Sequence, residues 1–193
     1  MKPNLAFDFS FDPTIDGWFR ALELLYHETT VHSKQVANIT LRLARALNVR
    51  QSDLTYIYRG ALLHDIGKLG IPDTILLKPG NLNEEERRIV QQHPTIAYEM
   101  LAPIPYLHKA RDIPYCHHEQ WNGIGYPRGL KGEEIPFSAR IFAVADVWDA
   151  LISNRPYRKA WPAETALAYL REQAGEHRGK GYLYMGKLRK RSS

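Results

Sequence analysis

The stretch "FSARIFAVADVWDALIS", residues 137–153, is apolar on almost every face at helical spacing. A helix of that kind must be enclosed by others, so it sets the fold class before anything else does. The neighbouring segments supply the partners. "VANITLRLARAL" places Val36, Ile39, Leu43 and Leu47 on one stripe, and "SDLTYIYRGALLHDIG" predicts a helix from an N-cap at Ser52 to Gly67. "NEEERRIVQQH" opens with Asn83 and has Glu86 three residues on, the pattern of a capping box. "YLHKARDIPYCHHE" predicts a helix kinked at Pro114, and "PAETALAYLREQ" predicts a last one. The stretches "KLGIPDTILLKPGNL" and "WNGIGYPRGLKGEEIPFS" read as coil, and no segment alternates with period two for long. The expectation is an all-α helical bundle with an extended glycine-rich loop.

The 193-residue length suits one domain. Asp8, Asp12 and Asp16 interrupt any apolar leader, no run reaches the length of a membrane span, and the lone Cys116 cannot form an internal disulfide. These features lead us to expect a cytoplasmic protein with no integral membrane segment and no specific nucleic-acid partner. The net charge of +5 belongs to the end of the chain. Residues 178–193 hold six Lys and Arg and no acid, which leaves 20 cations against 21 acids before them. We divide the chain into an N-terminal extension (1–14), one main domain (15–177) and a solvated basic tail (178–193).

Acids and histidines punctuate the helical segments. His64 and Asp65 close "LLHDIGK", His93 precedes Pro94, and His117 and His118 stand side by side before Glu119. Glu28 and His32 are four apart, and Asp146 sits within the most apolar segment. Each alone reads as a capping or solvent-facing group. Five histidines and three acids together read as a metal site, because a carboxylate buried without a partner is costly. Eight donors exceed one ion, so two divalent metals are expected, or three, with Asp65 able to bridge. Residues about 100° apart on a helix diverge, so His117 and His118 are expected to face different ions. Mixed nitrogen and oxygen donors suit iron or manganese better than zinc, and paired metals suit phosphoryl chemistry.

The order His-Asp, His-Pro, His-His-Glu, Gly-Tyr-Pro and Ala-Asp, in "HDIGKLGIPDTILLKPGNLNEEERRIVQQHP", "HHEQWNGIGYP" and "ADVWDALISNRPYRKAW", resembles the HD-GYP branch of the HD-domain metal-dependent phosphohydrolases. The resemblance implies an all-α hydrolase of bacterial signalling that cleaves cyclic di-GMP to the linear dinucleotide pGpG, and a further step to GMP is left open. It implies metal ligation by His64, Asp65, His93, His117, His118 and Asp146, with Glu28 and His32 added where a third ion is held. Asp65 and Lys68 are implied in catalysis, and Lys68, Tyr126, Arg155 and Arg158 in holding the substrate. Contacts of the Gly-Tyr-Pro loop with diguanylate cyclase domains are also implied, and a homodimer is left open. A cyclic GMP-AMP phosphodiesterase, a non-catalytic cyclic di-GMP or cyclase-binding module, and a hydrolase of other nucleotides are the alternatives. After "EQAGEH" the family pattern calls for a Phe-Asp-Pro segment and one more helix, where this chain has "RGKGYLYMGKLRKRSS".

Overall fold

A computed structural model describes residues 12–25, 27–154 and 159–175, leaving aside the side chains of residues 23, 27–31, 174 and 175. Nearly all of the extension before residue 15, all of the tail after 177, and both Arg155 and Arg158 therefore lie outside the described residues.

The described chain is helical and contains no strand. The helices are α1 (Pro13–Leu25), α2 (His27–Ala46), α3 (Gln51–Leu62), α4 (Asp73–Leu76), α5 (Glu84–Val90), α6 (His93–Leu101), α7 (Asp112–Cys116), α8 (Phe137–Ile152) and α9 (Ala163–Gly175). Short 3-10 turns cover Ile66–Gly70, Pro105–Leu107 and Gly132–Glu134. Helix α8 is central as its composition demands, with Ile141, Phe142, Ala143 and Ala145 at 0–4% exposure. It packs on α2, α7 and α9. Helix α2 meets it and α3 through Val36, Ala37, Thr40 and Ala44, all fully buried. That face is mostly small residues, so the axes can approach closely. Ile39, Leu43 and Leu47, expected at the centre of the stripe, instead flank it half-buried. No described helix is long and apolar enough to cross a membrane.

The helix ends depart from several local expectations. Asn83 does form the capping box with Glu86. Ser52 is not an N-cap, because the extended residue is Arg50 and its guanidinium bonds Asp53. Helix α3 does not reach Gly67. It ends at Leu62, and His64 and Asp65 occupy the turn between it and the next 3-10 turn. Packing dictates the change, since a Cβ at Gly67 would collide with the carbonyl oxygen of His93 and lie 2.7 Å from the amide nitrogen of Ala97. The 3-10 turn thus seats directly on the start of α6. Pro114 lies buried inside α7, in its first turn where no amide hydrogen is needed; the break comes earlier, between Leu107 and Asp112. "KLGIPDTILLKPGNL" holds a 3-10 turn and α4 in place of plain coil.

Gly67→Ala should therefore cost at least about 1–3 kcal/mol, the range for overpacking, and shift the melt by about 2–4 °C per kcal/mol. Thermal unfolding followed by circular dichroism reads this directly. A parental midpoint would mean that the turn does not seat tightly on α6.

Candidate metal centre

Helix ends build the centre. A helix leaves its last carbonyls without amide partners. Ala61 lies near the end of α3, Val90 ends α5, and Pro114 lies near the end of α7. Each accepts a hydrogen bond from the Nδ1–H of the histidine three residues on. His64 donates to Ala61 at 2.9 Å, His93 to Val90 at 2.7 Å, and His117 to Pro114 at 3.0 Å. The three histidines cap helix termini and have their rings fixed by the same bond. Burial lowers the pKa of His93 and takes that of His117 well below its ordinary value. A neutral ring carries one proton, and in these two it sits on Nδ1. Their Nε2 atoms, 3.2 Å apart, then present two lone pairs to each other. Such a pair needs a cation.

Asp65 stands between the groups. Its Oδ1 lies 3.5 Å from His93 Nε2 and 3.9 Å from His117 Nε2, and its Oδ2 lies 3.2 Å from His64 Nε2. Lys68 donates to the same Oδ2 at 2.6 Å. Burial works to raise the Asp65 pKa, but Lys68 and His64 hold it well below the usual carboxylate range. His93, His117 and His118 each offer a nitrogen within 4.8 Å of the others. Burial, with His93 next, depresses His118 to about 3, which keeps it neutral as a ligand must be. The divergence expected of His117 and His118 is not seen. Helix α7 stops at Cys116, so helical spacing no longer applies, and the two ring centroids lie 4.0 Å apart. Phe142 closes the site on its apolar side, 4.8 Å from the ring of His64.

Asp146 and His32 form the opposite edge, with His32 Nε2 at 3.1 Å from Asp146 Oδ1. Asp146 is not the unpartnered buried carboxylate expected: its side chain retains 36% exposure. Burial tends to raise its pKa, but the His32 hydrogen bond together with the charges of His64 and His32 brings it below the ordinary value. His32 is raised to about 9 against the effect of burial, because hydrogen bonds to Asp146 and Asp149 favour its charged form. Asp149, 1% exposed, was missed in the sequence although it is a second acid in the same apolar run. Glu28 lies on α2 one turn before His32, with its side chain outside the described set. These donors fit a divalent metal: His93 and His117 with Nε2 free and a neutral His118, around a carboxylate turned both ways.

The glycine-rich loop folds back on the centre. Glu119, fully buried, was the other residue whose role went unread. Its two carboxylate oxygens accept from the backbone amides of Arg128 at 2.7 Å and Leu130 at 2.9 Å. Gly125 serves by close approach, because a Cβ there would meet the backbone of His118, Glu119 and Gln120. Tyr126 donates its amide to the His118 carbonyl at 3.2 Å and stacks its ring on that of His118, with centroids 4.6 Å apart. Glu119→Gln keeps the shape but sets an amide NH2 against a backbone N–H. It should cost about 1.5–3 kcal/mol, the range for hydrogen bonds to charged groups, and speed hydrogen exchange at the amides of residues 128 and 130. Unchanged exchange there would remove Glu119 as the loop's anchor.

The family model described as HD domain matches residues 20–180. A cyclic di-GMP phosphodiesterase response regulator, RpfG, of Xanthomonas campestris pv. campestris is 42% identical over 164 residues, which are 84% of this chain and 43% of that protein. A 3'3'-cGAMP-specific phosphodiesterase 3 of Vibrio cholerae is 44% identical over 144 residues, 75% of this chain and 31% of that one. The chain thus spans less than half the length of these relatives. Among solved structures, a HDG"Y"P protein from Bdellovibrio bacteriovorus aligns over 86% of this chain and 59% of its own, with a TM-score of 0.58 at 19% identity, a likeness of fold. With its His-Asp, His-His-Glu and Gly-Tyr-Pro motifs in place, the chain belongs to the HD domain family, in the HD-GYP branch of metal-dependent phosphohydrolases.

Proposed function

We propose that the chain is a metal-dependent phosphodiesterase that opens cyclic di-GMP to the linear dinucleotide. The observation that carries this reading is the set of ring-locked histidines, His64, His93 and His117, whose Nε2 atoms surround Asp65. The names of the relatives supply the substrate class. His64, Asp65, His93, His117, His118 and Asp146 hold two divalent ions, iron or manganese, with Glu28 and His32 available to a third. Such ions activate water and neutralise charge on a phosphate when bound.

The chain's own groups bind and orient the substrate. Lys68, a quarter exposed beside Asp65, offers its remaining donors to a phosphate oxygen lying over the centre. Tyr126, stacked on His118, presents an aromatic edge at the same mouth for a guanine. Arg155 and Arg158 follow α8 and supply cationic forks for the phosphates. The catalytic domain is taken to span 15–177, the basic tail to be dispensable for chemistry, and the Gly-Tyr-Pro loop to be a surface for diguanylate cyclase domains. Cyclic GMP-AMP is the second substrate reading, favoured by the relative from Vibrio cholerae.

Protein purified without oxygen should hold at least two iron or manganese ions by elemental analysis. Asp65→Asn should lose both metal content and turnover in chromatograms of cyclic di-GMP digests. One zinc at full occupancy, with no second site on titration, would contradict the proposal. Faster turnover of 3'3'-cyclic GMP-AMP than of cyclic di-GMP would move the substrate to the second reading. Arg155→Ala should weaken cyclic di-GMP by about 1.5–3 kcal/mol with metals retained. It should affect bis-(p-nitrophenyl) phosphate less. Equal loss on both substrates would place Arg155 in the fold or the chemical step.

A further inference from the structure

His32 differs from the other ring-locked histidines. It lies inside α2, where the carbonyl three residues back is already committed to the helix ladder. Its Nδ1 needs a partner from elsewhere, and Asp149 on α8 supplies one at 2.7 Å, 117 residues away in sequence. The Asp149 carboxylate is 1% exposed, and its other oxygen accepts from Ser153 Oγ at 3.3 Å. Asp146 and Asp149 stand one turn apart on α8 and meet the two ring nitrogens of the same histidine. The ring can neither flip nor swing without breaking a bond to one of them.

We infer that Asp149 is a positioning residue that fixes His32 with Nε2 turned toward Asp146, making that edge a cation position separate from the His93, His117 and His118 group. A carboxylate is a stronger acceptor than the carbonyls that hold His64, His93 and His117. It therefore makes the His32 Nε2 the more electron-rich donor, and loss of such a partner lowers metal affinity 10–100-fold in general. The effect is local, since Asp149 touches no other histidine of the centre among the described contacts. This inference rests on the metal-centre reading above and is independent of which dinucleotide is cleaved.

The test is Mn²⁺ titration of the metal-free full chain, read as free Mn²⁺ by electron paramagnetic resonance, with no substrate present. Asp149→Asn keeps the shape and an acceptor but removes the charge. It should weaken one class of Mn²⁺ site by on the order of 10–100-fold and leave the other class at its parental affinity. His32→Ala should remove the same class, and adding Asp149→Asn to it should change nothing more. Ser153→Ala, which removes only one bond to the carboxylate, should weaken that class to a smaller degree. This variant decides the matter if Asp149→Asn does not fold. Parental affinity in every class, or equal weakening of all classes, overturns the inference, as does a further loss in the double variant. A chain that shows this Mn²⁺ pattern but leaves cyclic dinucleotides intact would sink the proposed function and leave the role of Asp149 standing.

Discussion

One hydrogen bond, repeated three times, governs the centre. An imidazole Nδ1–H donates to the carbonyl three residues back at the end of a helix. The bond satisfies a carbonyl that the helix leaves open and fixes the ring's rotation. It also settles which nitrogen keeps the proton. Capping and metal ligation are usually rival readings of a histidine at a helix end, and here one geometry serves both. The short elements follow from this. Helices α3, α5 and α7 must stop where their last carbonyls can reach His64, His93 and His117, so the bundle is cut into pieces around its centre.

The long helices supply what the short ones cannot. Helix α8 carries Phe142 beneath the histidines and Asp146 at their edge, and α2 brings His32 across to it. A mid-helix histidine has no free carbonyl of its own, which is why the one ligand candidate described on α2 is held by a carboxylate from another helix. On the far side, Glu119 ties the loop back so that Tyr126 rests on His118. The opening of the centre is thus bounded by a clasped loop, a lysine and an aspartate, each held by bonds that reach the ligand residues.

The sequence disclosed the all-α class because α8 is too apolar to lie anywhere but inside, and it disclosed the donors because acids and histidines at segment ends are conspicuous. It did not disclose where helices stop. The apolar run through "LLHDIG" hides the break after Leu62, which is imposed by the approach of Gly67 to α6, a tertiary contact. Asp149 carries no sequence signal that sets it apart from Asp146 in the same apolar run, although it is the more buried of the two. Glu119 could not be read because its partners, nine and eleven residues on, are backbone amides that only a folded loop brings back.

The measurement closest to the central claim is long-range proton–nitrogen correlation NMR on the metal-free chain labelled at its histidine ring nitrogens. It reports the protonated nitrogen of each ring. His93 and His117 should each show a protonated Nδ1 and a bare Nε2 near neutral pH. The Nδ1 protons should exchange slowly, behind their bonds to Val90 and Pro114. Protonation at Nε2 in either ring, or rapid interchange of the two tautomers, would contradict the claim that helix-end carbonyls prepare these residues to bind a cation.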